Sequence, residues 1–242
     1  MTRHRHSSAR VALLAVALAA GLAAPALGAS SPPDPAADIP LGSLPQACRS
    51  APTGQSCEAA VIARLNFARA KMGLGRYRLP ANFVALTAPR QLLILTNLDR
   101  ISYSLRPVVG LSVTLDASAK QGARQHQDPN PWPEVVGLPG QRQIGYSSNW
   151  AGGAPNAPTA YFEWVYDDGY GSGNLDCPER SSPGCWGHRH TIFAFAAAPT
   201  LTMGAAVVQS QSSYAMTIVE TSKPAWPYSY TWAQAMADGA GG

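Results

Sequence analysis

The sequence predicts an α+β domain. Apolar residues step at helical spacing through the first half of the chain, and β-rich runs are confined to the last third. Strand–helix–strand alternation is scarce, which argues against a doubly wound parallel sheet.

The chain opens on a pattern of export. Arg3, Arg5 and Arg10 form a basic start, and Val11 to Leu22 is an uncharged Ala/Leu run. Small residues follow, with Ala24-Pro25-Ala26 and Leu27-Gly28-Ala29 as candidate cleavage sites. A membrane anchor is the bland alternative. Pro25 and the high alanine content weaken it as a spanning helix, so residues 1–29 are expected to be removed, leaving no stable span. Removal also changes the charge. Three of the 18 basic residues and none of the 14 acidic ones lie there, which leaves 15 against 14, a net +1. No basic cluster remains, and nucleic acid is not an expected partner.

Residues 30–47 are rich in proline and read as an extended spacer. A domain is expected over 48–222, with a tail over 223–242. Charged residues make up 13% of the chain, about half the usual share. That fits an extracellular domain with a neutral surface. Four cysteines fall in two local pairs. Three connectivities are open; Cys48–Cys57 and Cys177–Cys185 are favoured because each closes a short Pro/Gly/Ser-rich loop. A zinc site built from all four is disfavoured, because the gaps exceed the usual knuckle spacing.

Helices are expected over Glu58 to Met72, Pro89 to Leu105, Leu115 to Gln125 and Ala157 to Tyr166. Val61, Leu65, Ala68 and Met72 make one apolar face of the first. Thr87 caps the second, with Pro89 in its first turn. Asp116 is the expected cap of the third, and Pro158 sits in the first turn of the fourth. Thr191 to Ala197, Gly204 to Gln209 and Ser213 to Glu220 read as strands, the last two as a hairpin. The aromatic tail with Trp226, Tyr228 and Tyr230 is expected to cover a sheet edge.

The densest polar segment runs from Glu163 to His190. In an extended strand His188 and His190 share a face, so both rings could reach one metal ion. Asp167 or the distant His126 would complete a three-ligand site. The competing view is one buried hydrogen-bonding histidine and one solvated one. Asp167-Asp168-Gly169 lacks calcium-loop spacing and reads as a turn. There is no G-x-S-x-G elbow, no H-E-x-x-H, no P-loop and no dinucleotide fingerprint.

Cys185-Trp186-Gly187-His188-Arg189-His190-Thr191-Ile192-Phe193 resembles the Gly-His-Arg-x-x-Ile-Leu signature of bacterial CAP domains, also called SCP-like domains. Ala63-Arg64-Leu65-Asn66 with Arg69 resembles the opening Leu-Asn-x-x-Arg helix. Asn149-Trp150-Ala151-Gly152-Gly153 resembles the family's Glu-Asn-Ile-Ala-x-Gly segment. Trp164-Val165-Tyr166-Asp167 resembles its tryptophan helix, and Met203 to Ala206 with Tyr214 to Val219 its closing hairpin. The likeness spans roughly residues 57–221, and the long second helix marks a divergent, actinobacterial-like member. It implies a three-layer α-β-α sandwich with a central antiparallel sheet. It also implies a cleft of two histidines and two acids able to hold a divalent cation, zinc or calcium. These positions fall at His188, Asp167, His126 and Ser148, with His190 as a substitute ligand. Ser148 stands where the family has an acid, which weakens any cation site. The expected function is a secreted, non-enzymatic binding protein for a lipid, a peptide or cell-wall material. A metal-dependent hydrolase of cell-wall peptide and a purely structural domain are the alternatives.

Overall fold

The computed structural model describes residues 31–43, 46–141 and 144–241. The expected export signal lies outside them. Among the described residues the chain is a mixed α+β structure. Its helices are α1 (Gln46–Ser50), α2 (Gln55–Lys71), α3 (Ala88–Ser102), α4 (Val113–Gln125), α5 (Trp132–Val135), α6 (Ala157–Val165), α7 (Gly187–Phe193) and α8 (Trp232–Ala237). Its strands are β1 (Gly110–Leu111), β2 (Ile144–Gly152), β3 (Thr200–Val208), β4 (Ser213–Thr221) and β5 (Tyr230–Thr231). None of the described helices is long and apolar enough to cross a membrane.

The five strands form one open sheet in the order β2-β4-β3-β1-β5. The expected hairpin is β3–β4, and β2 pairs antiparallel with the far side of β4 over nine residues. The sheet is not antiparallel throughout. β1 runs parallel to β3, and β5 then pairs antiparallel with β1. A parallel neighbour needs a long crossover, and the whole stretch from α4 to α7 separates β1 from β3. Tyr230 in the aromatic tail supplies that last strand, and Tyr230, Trp232 and Ala235 sink into the main core.

Side chains of β4 divide between two clusters. Ile218 packs into the main core with Leu65 of α2, Leu92 of α3 and Phe162 of α6. Its neighbour Val219 packs with Leu115 of α4 and with Val135. Period-two alternation sends adjacent residues to opposite faces. α3 is buried along Gln91–Arg100, so its polar residues need partners inside the protein. Asp99 finds Arg69 and the hydroxyls of Tyr77, Tyr161 and Tyr166, at 2.8, 2.8 and 3.0 Å. Arg100 donates to the carbonyls of Ile192 and Ala194 at 2.7 and 2.9 Å. It thereby ties α3 to the C-terminal end of α7.

Three local expectations are corrected. Residues 191–197 are not a strand: Gly187–Phe193 is helical, and Arg100 and the inserted Arg189 hold it so. β-branched and aromatic content is a contextual signal, and tertiary anchoring overrode it. Asp116 does not cap α4. Ser112 occupies that position, and Asp116 accepts instead from the Ala205 N–H of β3 at 2.9 Å. The proline-rich segment is docked rather than free. Ile39 N–H donates to the Tyr166 carbonyl at 3.0 Å, Leu41 N–H to Asp167 at 3.0 Å, and Arg189 to the Pro33 carbonyl at 2.9 Å. The cysteines pair as Cys48–Cys57 and Cys177–Cys185.

Candidate functional site

α7 carries the Gly-His-Arg segment against edge strand β2. The Arg189 side chain is fully buried and lies near the rings of Phe193, Tyr103 and Tyr166. It donates to the Val165 carbonyl at 3.0 Å, which pins α7 to the end of α6. Asn149 of β2 donates to the His188 carbonyl at 2.9 Å, and Ser147 to the Thr191 carbonyl at 3.0 Å. Trp186 heads the helix with left-handed backbone, φ 61°. A bulky residue there is an outlier costing about 1–3 kcal/mol, a kind of strain that clusters at functional sites.

With α7 helical, His188 and His190 are two residues apart on a helix and face different ways. His188 Nδ1 lies 2.7 Å from Asp168 Oδ1. His190 Nε2, half exposed, lies 2.9 Å from Asp34 in the docked N-terminal segment. Asp168 is almost wholly buried and fully engaged. Its Oδ1 also accepts from Asn174 at 2.8 Å, and its Oδ2 from the Arg189 N–H at 3.2 Å. Asp168 therefore fixes the imidazole, and Nε2 is the nitrogen left for a ligand.

Burial pushes His188 toward the neutral form. The hydrogen bond and charge of Asp168, with Asp128 and Asp176 further off, outweigh it and raise the pKa overall. His188 thus keeps its proton to a higher pH than a free imidazole does, and in that form both ring nitrogens donate. Asp128 comes from the loop after α4 and lies beside the Trp150 N–H on the open edge of β2, which favours its charged form against the opposing pull of burial. His126, the left-handed C-cap of α4, stacks on Trp150 with ring centroids 5.7 Å apart.

The sequence-predicted positions do not converge. Asp167 accepts from Leu41 and has no bond to His188; its neighbour Asp168 takes that role. Ser148 donates to Thr217 Oγ1 at 3.1 Å, on the face of β2 opposite Ser147 and Asn149, whose side chains reach α7. His126 approaches Trp150. Among the described residues no group of three His, Cys, Asp or Glu side chains is placed to hold a metal ion. The donor set therefore does not fit the divalent cation that the resemblance implies. All four cysteines are in disulfides, so they provide no thiol nucleophile. Sequence reasoning missed Asp128 and assigned Asp168 to a turn. The Asp-Asp-Gly string was the available signal, but which carboxylate turns inward depends on how the chain leaves α6.

A pH dependence follows from the buried acids. Burial raises Asp38 to about 7, Glu58 to about 7, Glu163 to about 8 and Asp116 to about 6; Asp167 adds to the first and third. Unfolded carboxyls titrate near ~4. Between these values the folded state holds more protons, so stability is greatest in acid and falls as pH rises through about 4–8. The raised His188 acts in the same direction at the upper end, its contribution fading as pH rises through the folded pKa. Melting temperature is expected to drop between pH 5 and pH 8.5. Glu163→Gln should raise it at pH 8.5 and leave it nearly unchanged at pH 5. A melting temperature that climbs with pH over this range would overturn the assignment.

The chain matches no protein-family model, no curated protein and no solved structure.

Proposed function

We propose that this chain is a secreted CAP/SCP-like protein that binds an extracellular or cell-envelope ligand at the His188 cleft without transforming it. The observation that carries the reading is His188, its ring fixed by Asp168 and its charge felt by Asp128, which lies at the edge of β2 beside Trp150, the residue on which His126 stacks. A flat aromatic face and a fixed N–H donor suit a polar ligand with a planar or ring component, such as cell-wall material. The order of the family motifs supports the superfamily assignment, and so does the splitting of Ile218 and Val219 between two cores, as a three-layer α-β-α arrangement requires. Two disulfides fit export.

Sedimentation with isolated cell-wall sacculi tests the reading. Retention is expected for the mature protein, with a loss of at least tenfold in His188→Gln and His126→Ala and no soluble fragments released. Release of fragments would replace binding with hydrolysis. Lack of retention, with His188→Ala merely less stable, would leave a structural domain. N-terminal sequencing of protein recovered from the culture medium tests export, with a start after Ala26 or Ala29 expected.

A further inference from the structure

The loop after α4 serves two sides. His126 and Asp128 turn toward β2, whereas Gln127 and Asn130 line a separate cleft of about 250 Å³ against the helix. Ser118, Gln121 and Gln125 form its α4 wall, at the three- and four-residue steps that share a helical face. Gly122 belongs to the same stripe. A Cβ there would sit 2.9 Å from the Gln127 carbonyl oxygen and from Pro129 N, so glycine is what lets the loop close onto the helix. Glu134 completes the far wall.

Two polar atoms in this lining lack partners within the described protein. Ser118 is 4% exposed and its Oγ makes no hydrogen bond, although it lies on the cleft wall. Glu134 Oε2 is buried and equally unpartnered. Seven other buried polar atoms among the described residues also lack a hydrogen-bond partner, but these two share one open cleft, where a partner from outside the chain can complete them.

The chemistry of the lining selects that partner. Four carboxamides, one hydroxyl and one carboxylate offer donors and acceptors side by side. Each sugar hydroxyl both donates and accepts. No lysine or arginine lines the cleft, which disfavours an anion, and Pro133 is its one apolar side chain, which disfavours a lipid. The volume falls below the ~300–1,000 Å³ of drug-sized sites, enough for one or two rings. Trp132, 49% exposed, stands beside Pro133 in the chain and offers an aromatic surface at this end of the loop. We propose that the cleft between α4 and residues 127–134 is a binding site for a neutral carbohydrate, distinct from the site around His188.

Isothermal titration of the mature protein with N,N′-diacetylchitobiose, cellobiose and maltose tests it. At least one disaccharide is expected to bind saturably. Gln121→Ala and Glu134→Ala should weaken binding tenfold or more. Glu134→Gln should stay within about threefold, because a neutral ligand needs the hydrogen bonds and not the charge. His188→Gln should have no effect, which separates this site from the one proposed above. Gln121 is exposed, so its alanine variant keeps the test valid if Glu134 variants fold poorly. No saturable binding of any of the three sugars, or equal binding by wild type and Gln121→Ala, would overturn the proposal. So would tighter binding of a neutral alanine–glycine peptide at the same residues.

Discussion

Asp99→Ala is expected to lower stability by about 3–5 kcal/mol, enough to unfold a domain of ordinary stability. The carboxylate is fully buried and accepts from three tyrosine hydroxyls as well as Arg69. Removing it leaves a guanidinium, 3% exposed as a residue, without its counter-charge, and three phenols short of an acceptor. Arg69 keeps only the Gly75 carbonyl and the Ser102 hydroxyl, at 2.6 and 2.8 Å, which satisfy hydrogen bonds but not charge. With Asp99 gone the pairing that raises the Arg69 pKa is lost and burial pulls it down, but a guanidinium is too strong a base to shed its proton near neutrality, so the charge stays buried. Tyr161→Phe removes one donor and should cost only about 1 kcal/mol. Urea unfolding of both variants measures the contrast. A cost below about 1 kcal/mol for Asp99→Ala would show that the network is not what holds α2, α3 and α6 together.

Gly204→Ala is the second large effect, expected to cost about 3 kcal/mol, the upper end of the usual overpacking range. A Cβ on Gly204 would lie 2.2 Å from the Leu115 carbonyl carbon and 2.3 Å from its oxygen. Both contacts are backbone, so no rotamer change relieves them. The first turn of α4 must then move off β3, and Asp116 would lose its bond to the Ala205 N–H. Because α4 is capped by His126 and carries Ser118, Gln121 and Gln125, the same substitution should disturb both the His126–Trp150 stack and the α4 cleft. Circular dichroism melting and disaccharide titration on one sample check the two consequences. An unchanged melting temperature would mean that α4 does not sit directly on the strand.

The helices were legible where one segment holds the whole signal. Val61, Leu65 and Ala68 read as one face and are buried as one. Thr87 and Pro89 stand at the start of α3 as their backbone preferences dictate. The disulfides closed within nine and eight residues, where loop composition alone favoured the local pairing. Longer-range features were not legible. β2 has an exposed edge and uneven burial, and its Ser, Asn and Gly content hides the strand. β1 and β5 are two residues each, too short for a period. Residues 187–193 carry strand-like residues and are helical because Arg100 and Arg189 secure the helix from the core.

The sequence by itself determined an α+β chain, its main helices, the β3–β4 hairpin and the cysteine pairs. All of these depend on residues within a few turns of one another. The tertiary structure decided which side chains meet. His126 and Asp128 follow α4, Trp150 lies on β2, Asp168 follows α6 and His188 opens α7. Their relative positions are set by strand register and by buried arginines that act across the chain. Asp168 rather than Asp167 faces His188 because the docked N-terminal segment takes Asp167 through the Leu41 N–H. A one-residue choice of that kind is a matter of packing geometry, and no local spacing encodes it.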